Sequence, residues 1–387
     1  LPDVYKCGVT RGGAMLSKMD GQWIGRADGD VPGTAVVEID DFGPTLDLIA
    51  YLFPDDISLP GTAVRLKPRD RGPVFELLHA PLIPVDPAAG FWLTRPILAE
   101  QYPGVTLSEY GDVRLEVHGD GRLSFSFKTE ITSGGGTLLK SRADQPSELV
   151  PSASIKSWDK FKETVWSVEP NRFFYRGQSD RRRLRTSFHR TCRKNLAIYR
   201  DVDVDELRRA LSSRLKHVFD RREPSQTGAF YNLLQHHGYP TPLLDWTLSP
   251  FVAAYFAFNP KVDRREERDC VRIFTFDAKA WREDYLQSSA TAYARPHFSI
   301  IELLAIENPR MVPQQATATI TNIDDIETYL IARGVERGKQ YITPIDLPIS
   351  DRQQALSDLN LMGINAGALF PGLDGACEAL RYKNFGA

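Results

Sequence analysis

The chain predicts an α+β protein in two parts: a small all-β barrel or sandwich with its linker over residues 1–150, and a mixed α/β domain over 151–387. Three observations carry that prediction. At 387 residues the chain exceeds what one hydrophobic core usually supports. Short β-prone runs separated by Gly, Pro and Asp fill residues 21–130, whereas helical and strand patterns alternate after residue 150. Between them, Ser133-Gly134-Gly135-Gly136 and a polar segment running to Pro151 have linker chemistry.

In the first part, Trp23–Arg26, Thr34–Ile39, Leu46–Leu52, Ala63–Leu66 and Val113–Val117 are the expected strands, with hairpin turns at Asp28-Gly29-Asp30 and His118-Gly119-Asp120-Gly121. Leu123–Lys128 alternates as a half-buried strand does. No clustered His, Cys or paired carboxylates appear there, so recognition or regulation is its expected role; small barrels also enclose ligands. In the second part, Ser157 caps a helix with Trp158, Phe161 and Val165 on one face. Phe173-Phe174-Tyr175 is a buried strand closed by Arg176-Gly177, and Asp205–Arg222 is an amphipathic helix. Strands are expected over Val271–Phe276, Phe298–Leu304 and Tyr341–Leu347. Helices are expected over Asp325–Arg333, Asp351–Met362 and Gly375–Arg381.

Hydrophobic residues at 42 %, charged residues at 25 % and a formal net charge of −2 exclude a wholesale polyanion binder. Cys7, Cys192, Cys270 and Cys377 have no metal-ligand spacing and read as reduced thiols. No apolar run reaches the roughly 18 residues of a membrane span, and the first residues lack a basic segment followed by an apolar core. A soluble cytoplasmic protein without membrane contact is the expectation.

Leu233–Phe258 organises the second part. Gly238-Tyr239-Pro240-Thr241-Pro242 breaks any helix, because proline fixes φ and removes a donor. Leu243-Leu244 enter the core, Asp245-Trp246-Thr247 follow, and Thr247 or Ser249 caps a nearly all-apolar helix with Pro250 at its start. The adjacent His236 and His237 have no partner at metal-ligand spacing, so no metal is expected; one of them is read as a hydrogen-bond donor in a cleft. A charged Arg176 closing an apolar strand must be paired, with Asp245 a candidate partner, or aimed into a cleft. Nine Lys or Arg against one acid between Arg176 and Arg200 suggest an anion.

Four blocks in this order resemble the FRG domain family: Tyr175-Arg176-Gly177-Gln178; Gln235–Thr241 with Leu243–Thr247; Asn308-Pro309-Arg310 with Gln314-Gln315; and Gly363-Ile364 with Leu369-Phe370-Pro371. The layout is also similar to that of ADP-ribosyltransferases, which implies such a fold and NAD as substrate. By that resemblance Arg176 and Gln178 hold the nucleotide, and Trp246, Thr247 and Tyr255 form the nicotinamide pocket. Gln315 takes the third-strand position, and Glu302 or Glu307 supplies the carboxylate that a glutamine cannot. His237, Asp245 and Arg310 complete the ligand-binding set. Loss of nicotinamide passes through an oxocarbenium-like centre, so the site needs an aromatic wall, anchored phosphates and one aligned polar group. The acceptor would be water or a macromolecule, a protein or a nucleic acid. With an appended sensing domain, such an enzyme would fit a bacterial toxin or antiphage effector. The alternative is a non-enzymatic module that binds nucleic acid or a nucleotide through the basic 181–200 segment, with Phe188 and Tyr199 interleaved.

Overall fold

The computed structural model describes residues 19–42, 45–68, 71–191, 193–220, 222–259 and 269–385. Cys7 and Cys192 lie outside them. The architecture is α+β, built on two antiparallel sheets.

The first sheet holds nine strands: β1 (Gly21–Gly29), β2 (Gly33–Asp41), β3 (Leu46–Pro54), β4 (Gly61–Leu66), β5 (Val74–Pro81), β6 (Ile83–Val85), β7 (Tyr110–Val117), β8 (Arg122–Thr129) and β9 (Ser133–Lys140). Their order is β5-β7-β8-β9-β1-β2-β3-β4-β6. The two edge strands, β5 and β6, are consecutive in the chain and joined by Leu82 alone. The sheet must therefore curl until its edges approach each other, and a nearly closed barrel results. Period-two alternation then sorts the side chains. Trp23, Val37, Leu48, Val64 and Leu115 turn into the barrel. Their neighbours Val36, Ile49, Tyr51, Phe53 and Ala63 turn outward and pack with Phe188, Tyr199, Tyr231 and Tyr293 of the second part. β2 to β4 are thus buried on both faces, which explains the almost unbroken apolar text of Leu46–Phe53.

The glycine-rich run expected as linker is instead the first half of β9. Gly134, Gly135 and Gly136 pair with Phe127, Ser126 and Phe125 of β8, and Gly134 and Gly135 also pair with Gly29 and Asp28 of β1. A Cβ on Gly134 or Gly136 would stand 2.5 or 2.2 Å from the carbonyl oxygen of Asp28 or Arg26. The missing side chains let three strands approach this closely. The segment that follows is fastened down too: the Ser141 hydroxyl donates to Asp324 at 2.8 Å and the Ser147 hydroxyl to Glu327 at 2.8 Å.

The second sheet contains β10 (Phe173–Gln178), β11 (Leu243–Thr247), β12 (Cys270–Asp277), β13 (Phe298–Ile301), β14 (Ala316–Thr321) and β15 (Ile342–Pro348), in the order β13-β14-β11-β10-β12-β15. Helices Trp158–Trp166, Pro250–Phe258 and Arg352–Leu361 cover one face through Phe161, Ala253, Ala257 and Leu356. Trp246, Phe276, Trp281 and Leu330 form the core of the other. Ser157 and Ser249 cap their helices as the sequence suggests, accepting from the N–H groups of Lys160 and Val252 at 3.2 and 3.3 Å.

Two helices differ from expectation. The Asp205–Arg222 helix is observed only over Val204–Leu211; Leu207, Leu211 and Leu215 still pack on the core, but Val218 is 86 % exposed. Pro224–His236, which no amphipathic pattern announces, is a helix whose residues Gly228 to Leu234 are all buried. A helix enclosed on every side has no polar face to set a period. Among the described residues no helix is long and apolar enough to cross a membrane.

The two parts share a polar seam. Buried Asp40 of β2 accepts from the backbone N–H groups of Lys194 and Asn195, and burial still raises its carboxyl to about 6. Gln22 of β1 donates to Glu38 at 3.0 Å and accepts from the backbone N–H of Asp324 at 2.8 Å.

Candidate functional site

Strand β10 turns Phe173 and Tyr175 toward helix Pro250–Phe258 and Phe174 to the opposite core. Gly177 lies directly beneath that helix, where a Cβ would stand 1.9 Å from the carbonyl oxygen of Ala253. Only glycine fits. Arg176, one position earlier, is thereby held at the point where β10 leaves β11. These two strands share a single registered pair, Tyr175 with Thr247. Beyond it they fork, and a cleft of about 570 Å³ opens between Arg176, Gly177 and Gln178 on one side and Asp245, Trp246 and Thr247 on the other.

Arg176 spans the fork: Nη1 donates to the backbone oxygen of Asp245 at 2.7 Å, replacing the ladder bond the strands no longer make. The expected pairing with Asp245 is therefore made through the main chain. Nε of Arg176 is shielded from solvent and has no hydrogen-bond partner among the described residues. Burial lowers its pKa to about 10; Asp245 opposes the shift and the charge of Arg190 adds to it.

Six arginines line the cleft, and they divide into two sets. Arg182 pairs with Asp180 at 3.1 Å, Arg183 with Asp325 at 3.0 Å and Arg185 with Asp324 at 2.5 Å. Arg176, Arg190 and Arg310 make no ion pair among the described residues. Arg190 donates to the Thr186 carbonyl at 3.4 Å, and Arg310 lies over the Phe370 ring at 5.6 Å. Outside the cleft, Arg181 pairs with Asp346 at 2.9 Å, Arg200 with Asp201 at 2.7 Å, and Arg193 with Asp203, while Lys194 donates to the carbonyls of His189 and Thr191 at 2.8 Å.

Of the two cleft carboxylates, Asp180 is paired, whereas the half-buried Asp245 carboxylate has no hydrogen-bond or ion-pair partner among the described residues. His236 stands nearby. Burial lowers its pKa, Asp245 opposes this, and Arg310 and His237 reinforce it. Aromatic surface comes from Tyr175, Phe256 and Phe370.

Arg176, Gln178, Asp245, Trp246, Thr247 and Arg310, all expected from sequence, meet in this cleft. Besides Arg176, three of them are partly engaged by the fold. The Gln178 amide donates to the Arg182 carbonyl at 2.9 Å. The Trp246 indole is 3 % exposed, packs on Phe276 and donates to Thr319 at 3.0 Å, so it offers the cleft little more than an edge. Thr247 donates to the Gln314 carbonyl at 2.7 Å. Five expected residues are not brought there. Tyr255 lies on the far side of its helix against Leu356, and its neighbour Phe256 faces the cleft. His237 is exposed while His236 lines the cleft. Gln315, at φ +46°, is exposed, and Gln314 lines the cleft with its amide donating to the Leu369 carbonyl at 3.0 Å. Glu302 is exposed just past β13, two strands from the fork; Glu307 accepts from the backbone N–H of His217 at 2.6 Å. In three of these cases the segment is right and the facing residue is the adjacent one. Arg190 stands in the sequence among eight other cations, with nothing local to set it apart.

Among the described residues no group of three His, Cys, Asp or Glu converges as a metal site. Neither the curated proteins nor the solved structures contain a match to the chain. Residues 171–266 match the family model of the FRG domain, a span that holds the Tyr175-Arg176-Gly177 strand end, the fork and the helix above it. The chain therefore carries an FRG domain.

Proposed function

We propose that the cleft binds NAD and that the protein breaks its nicotinamide–ribose bond, passing ADP-ribose to water or to a macromolecular acceptor. The observation that carries this reading is the set of three arginines, Arg176, Arg190 and Arg310, that reach one cleft without carboxylate partners. An arginine held away from water without a counter-ion raises the free energy of the fold, and an anion placed in the cleft offsets that cost. A pyrophosphate supplies two negative charges to such a cleft. The volume lies within the usual range of small-molecule sites.

Each residue then has a task. Arg176 and Arg190 hold the phosphates, and Arg310, stacked on Phe370, closes over the nucleotide. Phe256 and Tyr175 give the departing ring an apolar wall. With NAD bound, the chemistry is cleavage of the glycosidic bond: nicotinamide leaves with the bonding pair, and water or an acceptor oxygen or nitrogen adds to the anomeric carbon and loses a proton. Asp245, without a hydrogen-bond or ion-pair partner among the described residues, is the carboxylate able to face the positive charge growing at that carbon, in place of the carboxylate expected from sequence at Glu302 or Glu307. His236, kept neutral by burial, is placed to accept the proton.

The nucleic-acid alternative is less favoured, because six of the eight cations of the 181–200 segment, all but Arg190 and Lys194, are engaged in ion pairs with Asp180, Asp201, Asp203, Asp324, Asp325 and Asp346. Calorimetric titration with ADP-ribose tests the binding half directly. The protein should bind it, and Arg310→Ala should weaken binding about tenfold or more, whereas Arg181→Ala should leave it within about twofold. Equal losses in both variants, or no heat with ADP-ribose or NAD at millimolar concentration, would refute the reading.

A further inference from the structure

The interior of the barrel is not filled. A cavity of about 230 Å³ lies between β2–β4 on one side and β7–β8 on the other, entered past Leu59, Val105 and Ile131. Leu52, Leu82, Phe125 and Phe127 line it and stay partly open to solvent although they pack on the barrel core. Close-packed interiors leave few voids larger than a water molecule, and barrels of about this strand number either fill with side chains or hold one small ligand. This one does not fill.

The lining fixes the chemistry of the guest. It contains no Lys, Arg or His. Its only acidic residue, Asp112, turns its carboxylate to the backbone N–H of His79 at 2.8 Å, on the outer side of β7. Beside the lining threonines, Ser108 supplies a polar feature: its hydroxyl is buried at the cavity wall and has no hydrogen-bond partner among the described residues. A buried hydroxyl left unpaired is costly, and a polar atom on the guest would satisfy it. An apolar cavity of roughly 150 Å³ is known to accept benzene, so this space takes a ring with short substituents or a comparable alkyl chain. We propose that the barrel is a binding site for one small uncharged apolar molecule carrying a single hydroxyl or carbonyl, of the size of an alkylphenol or a medium-chain alcohol. A fatty carboxylate is excluded by the same lining, which offers no cation to compensate its buried charge.

The full chain can be tested with N-phenyl-1-naphthylamine, a neutral dye that brightens in apolar cavities. The protein should take it up, and 1-octanol should displace it at a concentration about tenfold below that needed for octanoate at pH 8. Ala50→Phe and Leu52→Phe each place bulk in the cavity and should abolish uptake while the unfolding transition persists; two variants are used so that one that fails to fold does not end the test. Ser108→Ala should keep dye uptake and lose about three- to tenfold in octanol affinity, the worth of one hydrogen bond. No displaceable uptake, uptake unchanged in a folded filling variant, or octanoate competing as well as octanol would each overturn the proposal. The cleft plays no part in any of these outcomes.

Discussion

Two openings of this molecule sit on the two sheets and face opposite physical problems. In the cleft, six arginines meet two carboxylates, and three of the arginines lack an acid to neutralise them. In the barrel, a smaller space is walled by hydrocarbon with one unsatisfied hydroxyl. The cleft arises where a sheet comes apart, with β10 and β11 keeping a single registered pair. The barrel cavity arises where a sheet closes on itself. A fork exposes main-chain polar groups and strand-end side chains, so it collects charge; a closed sheet satisfies its own backbone and turns alternate apolar residues inward. The contrast shows how two antiparallel sheets of one chain come to hold one cationic and one apolar opening.

Changes at glycine should separate the two regions most sharply. Gly177→Ala drives a methyl into the Ala253 carbonyl and should cost about 3 kcal/mol or more in urea unfolding, whereas Gly119→Ala in a barrel turn, with no atom within 4 Å of the added Cβ, should stay within about 0.5 kcal/mol. Equal effects would contradict the close crossing of helix Pro250–Phe258 over β10. Next in size, Arg176→Ala should weaken ADP-ribose binding about ten- to a hundredfold and leave dye uptake by the barrel unchanged. A loss at both sites would mean that the substitution acts through global unfolding.

Acid should act on the two parts with opposite sign. Burial lowers His189 to about 3 and His297 to about 4, both in the second part. Their folded pKa values lie below the unfolded value near 6.5, so the unfolded chain binds more protons across that window. The stability they confer is complete above about pH 6.5 and is lost as pH falls toward 4 and 3. Asp40 in the barrel is raised to about 6, so its contribution is complete below about pH 3.8 and is lost as pH rises through 6. Between pH 7 and 4 the unfolding free energy should fall, by up to about 1.4 kcal/mol per pH unit for each histidine, and the melting temperature with it. His189→Gln and His297→Gln should flatten the profile and Asp40→Asn should steepen it. The smallest expected effect is that of salt: raising NaCl should weaken ADP-ribose binding several-fold and leave octanol displacement of the dye unchanged.

Much of this architecture can be read from residues alone, and the failures have physical causes. Alternation such as Leu123–Lys128 marks the barrel strands because one face is wet. β9 escapes notice because three glycines spell a flexible linker as readily as a strand pressed between two others. Helix Pro224–His236 carries no polar face, so its sequence shows no period. At the site, the segments are legible and their phase is not. His236 or His237, Phe256 or Tyr255, and Gln314 or Gln315 differ by one position, and that choice is set by a helix end, a helix rotation and a left-handed turn at Gln315. The free arginines were harder still, since the carboxylates that neutralise the others lie up to 165 residues away.

The most direct test of the account is nicotinamide release from NAD by the purified protein, alone and with cell lysate, beside folded Arg176→Ala and Asp245→Asn variants. The account predicts release by the native chain, a fall of about a hundredfold or more in both variants, and no change in Arg181→Ala. Absence of release under every condition, or release that survives in both cleft variants, would contradict it.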